Sequence, residues 1–441
     1  MERTRIWLGA ALASAALCLA APAQAQIALD DINARIEQAS PHVVAWRRDI
    51  HEHPELGNRE ARTSRLVAQH LRRLGLEVRT NVAHTGVVGV LRGGQPGPVI
   101  ALRADMDALP VHEDTGLAFA SQVQADYNGQ QTYVAHACGH DSHTAMLMGA
   151  AEVLAGLRAH LHGTVIFIFQ PAEEGAPRGE TGGANLMVEE GALNDPRPSA
   201  VFGLHVVPGA PGTIFYRPEG FMAAADQMYI TLTGRQTHGA WPWQGIDVIS
   251  LQSAIVSELN TIAARTVDVT RTPTVLSVTT VNGGVRWNII PQTVEMSGTL
   301  RTFDDTQRAA IKVRVQQTIA NLAESYGATA EVRWVESGPV TYNDPALTAW
   351  ALTAMQEAAG ADNVNSNRHP TTVSEDFSYY QNVAPSFFVH LGGSADGVDP
   401  ATSPPNHSPQ FNVNESILPL GVRTHVLMAV RYLESGGLPA R

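Results

Sequence analysis

Hydrophobic and polar positions follow two different patterns along the chain. Up to about residue 220, short unalternating apolar runs separate amphipathic stretches: Pro98 to Arg103 reads PVIALR, Gly163 to Phe169 reads GTVIFIF and Ser199 to Leu204 reads SAVFGL. Such runs fit strands buried on both faces. Ser40-Pro41 reads as the N-cap and first position of a helix ending near Pro54, and Asn58 to Arg73 as an amphipathic helix closed by Gly75. Strands separated by helices predict an α/β fold with a mostly parallel sheet.

From about Ala224 to Glu336 the pattern changes. Gln227 to Thr233 alternates like a half-buried strand, Asp247 to Arg265 is helical, Pro273 to Val281 and Thr293 to Thr302 are strands, Asp304 to Tyr326 is helical, and Ala328 to Val335 is a last strand. The order β-α-β-β-α-β is the ferredoxin-like arrangement. It predicts a second, α+β domain inserted into the first: 26–223 and 337–441 form one domain and 224–336 the insert.

Residues 1–25 are expected to stand outside the fold. Arg3 and Arg5 form a basic start, Leu8 to Ala20 an apolar centre and Ala23-Gln24-Ala25 a small-residue cleavage site. This is the pattern of a secretory signal, so the mature protein is expected to be secreted, in the periplasm, after cleavage near Ala25. Of the two cysteines, Cys18 leaves with the signal and Cys138 stays alone, so no intrachain disulfide is expected.

Charge excludes more than it suggests. The net charge is −12 with no run of Lys or Arg, which argues against nucleic acid, and no second apolar run reaches membrane-spanning length. Lys312 is the single Lys, and it lies inside a helical pattern. Schiff-base chemistry and a P-loop therefore have no lysine in a suitable place.

The candidate chemistry lies just after the buried runs, where open α/β sheets bind ligands. Asp105 and Asp107 follow the first run, Glu173-Glu174 follow the second, and His205 closes the third. Cys138-Gly139-His140 precedes a helix starting near Asp141, and His407 sits in a Pro-rich loop. Thiolate, imidazole and carboxylate together form a transition-metal ligand set. Of two adjacent acids, one can bind metal while the other acts as a general base. Asp107 suits either a turn or the task of orienting a ligand histidine. His51 and His53 are given no role, and His112, His143, His369 and His390 are left outside the ligand set.

Taken in order, RRDIHEHPELGNRE (47–60), ALRADMDALPV (101–111), HACGHDSHTAMLMGAA (136–151), FQPAEEG (169–175), GLHV (203–206), THGAWPWQGIDVI (237–249), NIIP (288–291), GTLRTF (298–303), SEDFSYY (374–380) and NHSPQFNVNE (406–415) resemble the M20 metallopeptidase and amidohydrolase family. The narrower likeness is to its hippurate hydrolase and indole-acetyl-amino-acid hydrolase branch. The resemblance implies two divalent metal ions held by Cys138, His140, Glu174, His205 and His407, with Glu173 as general base and Asp107 orienting a ligand. It also implies that the insert is a lid and dimerisation domain of a homodimer or higher oligomer. His238 would then serve the partner's oxyanion, with Asn288 and Arg301 reaching the substrate. Ser142 departs from the branch's CGHDGH, and His369-Pro370 from the residues usual before SEDF.

The implied reaction is hydrolysis of an N-acyl, or N-aroyl, amino acid to a carboxylic acid and a free amino acid. A carboxypeptidase or dipeptidase is the alternative within the same chemistry, and a non-catalytic peptide receptor lies outside it. Ligand softness favours zinc, whereas the acids and the resemblance favour manganese, with cobalt or nickel also compatible. Trp241, Trp243, Phe377, Tyr379 and Tyr380 suit either an aromatic pocket or ordinary packing.

Overall fold

The computed structural model describes residues 26–268, 272–395 and 397–438; the expected signal at 1–25 lies outside them. The chain opens with helix α1 (Leu29–Glu52), then α2 (Ala61–Arg73), strands β1 (Glu77–Val82), β2 (Gly86–Arg92) and β3 (Gln95–Asp105), and a small hairpin of β4 (Gln124–Tyr127) and β5 (Gln130–Tyr133). There follow α3 (His140–Gly156), β6 (His162–Gln170), α4 (Gly183–Glu189), β7 (Ala200–Val207), β8 (Ile214–Phe215) and β9 (Glu219–Met222).

Helix α1 starts at Leu29, 12 residues before the Pro41 start that a Ser40 cap would give, and carries Pro41 in its interior. The reason is packing. Ile32, Ile36, Ala39, Val43 and Ile50 form one buried stripe that spans the proline and belongs largely to the main core. Burying that stripe outweighs the roughly 3 kcal/mol that an interior proline costs. Ser40 is no cap: its hydroxyl donates back to the Ile36 carbonyl. Helix α2 begins at Ala61 because the Glu55 carboxylate accepts from the amides of Arg62 and Thr63. It ends where Gly75, at φ 75°, lets the Leu76 amide reach back to the Leu71 carbonyl.

The insert follows as β10 (Ala224–Thr233), a two-residue β11 (Thr237–His238), α5 (Val248–Arg265), β12 (Thr274–Gly283), β13 (Ile289–Ile290), β14 (Thr293–Thr302), α6 (Asp305–Ser325) and β15 (Thr329–Gly338). Its four long strands pair antiparallel in the order β12-β14-β10-β15, the ferredoxin-like order the sequence predicts. Asp247 and Asp304 cap α5 and α6 by accepting from the first amides. Alternate residues of β10 and β14 (Met228, Ile230, Leu232, Val294, Met296, Leu300) are buried in a core that also takes in Leu251 and Ile255 of α5 and Ile311 and Val315 of α6. The short β11/β13 arm had no counterpart in the pattern.

The chain returns through β16 (Thr341–Asn343), α7 (Pro345–Ala359), β17 (Val364–Asn365), β18 (Ser386–Gly392) and α8 (Leu418–Glu434). The main sheet has eight strands in the order β1-β2-β6-β3-β7-β18-β8-β17. Its centre, β6-β3-β7-β18, is parallel, and β1, β2 and β8 add antiparallel neighbours. Each central strand runs further than its apolar run: β3 to Asp105, β6 to Gln170 and β7 through His205. Their carboxyl ends therefore carry the polar residues. No helix among the described residues is long and apolar enough to cross a membrane.

Candidate metal centre and active site

Three buried groups are brought together at the carboxyl ends of β3, β6 and β7. Gly139, at φ 98°, turns the chain into α3 and places His140 in the helix's first turn. The Nδ1 of His140 faces the Asp107 carbonyl at 2.9 Å and its carboxylate at 3.2 Å. Both are acceptors, so Nδ1 carries a proton, and Nε2 presents the lone pair whenever the ring is neutral. That Nε2 is buried and has no hydrogen-bond partner. It looks across 3.7 Å to Asp105 and 3.9 Å to Glu173. A lone pair facing two carboxylates across such gaps is an arrangement that a cation completes.

The other candidate donors adjoin it. Cys138 Sγ lies 3.3 Å from His205 Nε2, while His205 Nδ1 donates to the Val206 carbonyl. Glu174 meets His407 Nε2 at 2.9 Å, and its amide donates to Asp107, so Asp107 orients a histidine and an acid at once. His407 is held at φ 69°, its amide bonded to the Ala137 carbonyl. Donor atoms of Cys138, Glu174 and His407 lie within 4.8 Å of one another, as do those of His140, Glu173 and Glu174, and those of Asp105, His140, His143 and His205. His143 has other work: Nδ1 donates to Asp105 at 2.6 Å, and Nε2 accepts from the Val206 amide.

Charge explains why these groups fit a metal. Burial alone would lower His140, but Asp105, Asp107 and Glu174 overcome it and raise it to about 10. Burial, then Glu174 and Glu173, push the Cys138 thiol well above its usual value. Burial, then Glu375, Glu174 and Asp376, push Glu173 well above the usual carboxylate range. Carboxylates outnumber fixed cations here. Divalent ions would supply the missing positive charge and take the place of these protons.

Several residues that sequence reasoning passed over hold the cluster in place. Arg103 is fully buried and meets Asp105 at 2.6 Å, Glu375 at 2.9 Å and Asp376 at 3.1 Å, with Gln170 accepting from Nε. The Asp376 amide in turn points at Glu173 Oε1 at 3.4 Å. His51 is not a surface histidine. It is buried between Asp141 at 2.8 Å and Glu113 at 3.0 Å, with Arg47 also on Asp141. Alternating charges at 103, 105 and 107 were the available signal for Arg103.

A cavity of about 500 Å³ opens over the cluster, lined by Cys138, Glu173, Glu174, His205 and His407 and, from the insert, by Gln227 and Ser337. Somewhat larger hollows lie elsewhere, but the candidate ligand groups are not in their linings. Arg301 stands behind this lining, its Nη1 donating to Ser374. His238 and Asn288 do not line the cavity of their own chain; they sit on and beside the β11/β13 arm, where His238 is exposed and pairs with Ile289. The aromatic residues do not line it either: Phe377 and Tyr380 are core, whereas Trp241 and Trp243 are exposed.

A parallel sheet bearing a thiol, imidazoles and paired acids under a cavity defines the class of a metal-dependent hydrolase. A family model described as "Peptidase family M20/M25/M40" matches residues 101–431. Thermostable carboxypeptidase 1 of Saccharolobus solfataricus is 38% identical over 400 residues, covering 90% of this chain and 97% of that protein. IAA-amino acid hydrolase ILR1-like 2 of Arabidopsis thaliana is 38% identical over 404 residues, covering 90% and 87%. The solved structure of Bacillus subtilis YXEP protein, described as a dinuclear metal-binding peptidase, aligns at TM-score 0.75 and 36% identity over 90% of this chain and 99% of that one. The chain belongs to the M20 peptidase family and is an amide-cleaving, metal-dependent enzyme of that family.

Proposed function

We propose that the enzyme cleaves N-acyl amino acids, releasing a carboxylic acid and a free amino acid. The observation that carries the reading is the placement of Glu173, a largely buried carboxylate that lines the cavity beside the unpartnered His140 Nε2. Cys138, His140, Glu174, His205 and His407 would hold two divalent cations, manganese or zinc, which would supply Lewis acidity to a water and to the amide carbonyl. Glu173 accepts the water proton on a carboxylate oxygen and returns it to the leaving amine nitrogen. Arg301, behind Ser374, meets the carboxylate of the amino-acid half.

His238 and Asn288 act on the cavity of a second copy, with His238 donating to the oxyanion. Support comes from the exposed apolar groups around the arm: Trp243 is 75% exposed, Trp287 90% and Val285 97%. Such a patch calls for a partner surface. Mixing Glu173→Ala and His238→Ala proteins tests this. Restored turnover is expected, whereas an active monomer in sedimentation contradicts it.

The amide preference is tested with hippurate, N-acetyl amino acids and dipeptides. Preference for the first two supports this reading, and preference for dipeptides turns it to a peptidase. The Ala-Gln-Ala sequence before Gln26 supports export, which N-terminal sequencing of the mature protein checks.

A further inference from the structure

The cavity has a second guanidinium that the reaction above does not use. Arg368, in the segment between β17 and β18, belongs to the lining, on the side of the main sheet, with its guanidinium carbon 4.9 Å above the Phe215 ring. Other buried arginines have acid partners: Arg103 has three, Arg47 has Asp141 and Glu415, and Arg308 has Asp226. No ion pair or hydrogen bond joins Arg368 to any described residue. Burial is the one influence on its pKa, and it lowers it. A half-buried cation without an anion is costly to keep in a folded protein.

An independent observation points to the same corner. His390 of β18 lines the cavity, is 3% exposed, and has neither ring nitrogen hydrogen-bonded. An imidazole carries at least one N–H in either protonation state, so the ring holds a buried donor without an acceptor. Phe221 and Phe388 pack against it, with ring centroids at 4.5 and 6.2 Å. An unmatched guanidinium and an unmatched imidazole donor thus share one cavity. Arg301 approaches that cavity from the insert, behind Ser374.

We propose that Arg368, assisted by His390, selects a second carboxylate on the substrate, distinct from the one that meets Arg301, so that the preferred amides are dicarboxylates. The inference rests on the amide-hydrolase reading and deepens it. A planar guanidinium stacked on an aromatic ring presents a fork that matches a carboxylate. Val207, Pro208 and Met222 in the same lining give the methylenes of such a group apolar contact. The second carboxylate belongs either to the side chain of the amino-acid half or to the acyl half.

The test uses manganese-loaded enzyme and two matched pairs, N-acetylglutamate against N-acetylglutamine and N-succinylalanine against its succinamoyl counterpart, each pair differing only in whether the second carboxylate is charged or an uncharged amide. The wild type is expected to favour the charged member of one pair by ~10- to 100-fold in kcat/KM, and the pair that responds locates the carboxylate. In Arg368→Gln the ratio falls to about 1, chiefly through KM, and Arg368→Lys keeps part of it. A ratio within one preparation does not depend on how much of the variant folds. The inference is overturned if the wild type hydrolyses the uncharged members equally well, or if the preference survives in Arg368→Gln. Inactivity toward all four amides and toward hippurate would instead bring down the N-acyl amino acid reading on which the inference rests.

Discussion

At the scale of single residues, the site is two nested shells of charge. The inner one was legible because its members follow apolar runs directly: Glu173 and Glu174 come after β6, and His205 lies in β7. The outer one was hidden because its partners are far apart in sequence. Arg103 meets Glu375, and His51 meets Asp141, across 272 and 90 positions. A charge inside an apolar strand also reads as an ordinary outward-facing position. Arg103→Leu is expected to leave the buried Asp105 and Glu375 and the half-buried Asp376 without their counter-ion and to cost ~3–5 kcal/mol. Thermal melting checks this, and an unchanged midpoint would show that solvent or other groups compensate. Glu173→Ala is expected to keep its metal content while kcat falls by ~10²- to 10⁴-fold. Full activity in that variant would remove the base assignment.

At the scale of elements, the insert's strands and helices were legible to within three residues, because β10 and β14 alternate cleanly and each helix has an acidic cap. Asp247→Ala should remove a side chain that accepts from the Ile249 and Ser250 amides. The loss is expected to be about 1 kcal/mol, seen as faster amide exchange in the first turn of α5. Helix α1 was misjudged because a Ser-Pro pair is a start signal only when nothing upstream needs burying. Here Ile32 and Ile36 continue the buried stripe before it. Strand β1 escaped because it is the edge of the sheet, with exposed and half-buried positions mixed along it, whereas β2 is a buried apolar run that the sequence reading passed over. The two-residue strands of the β11/β13 arm are too short to leave any period.

At the scale of the whole molecule, pH acts through buried histidines as well as through the site. His425 of α8 is 2% exposed, and burial lowers it to about 3. The unfolded chain takes up this proton near pH 6.5 while the folded one does not. Its contribution is therefore full above pH 6.5 and is lost as pH falls toward about 3, at about 1.4 kcal/mol per pH unit. His425→Leu should flatten that part of the stability profile, and an unchanged slope would show that other groups set it. The relation of insert to main sheet has a functional consequence too. The cavity takes lining from both, whereas His238 is exposed on the arm and does not line it, which is why a second copy enters the proposed mechanism.

The most direct test of the account is to strip the protein of metal and titrate Mn²⁺ or Zn²⁺ back while following bound ions and hydrolysis of N-acyl amino acids. Two ions bound per chain, with turnover absent in the stripped protein and restored as the sites fill, is the predicted result. Turnover that persists without metal, or a chain that binds no ion at the Cys138–His140–Glu174 cluster, would contradict it.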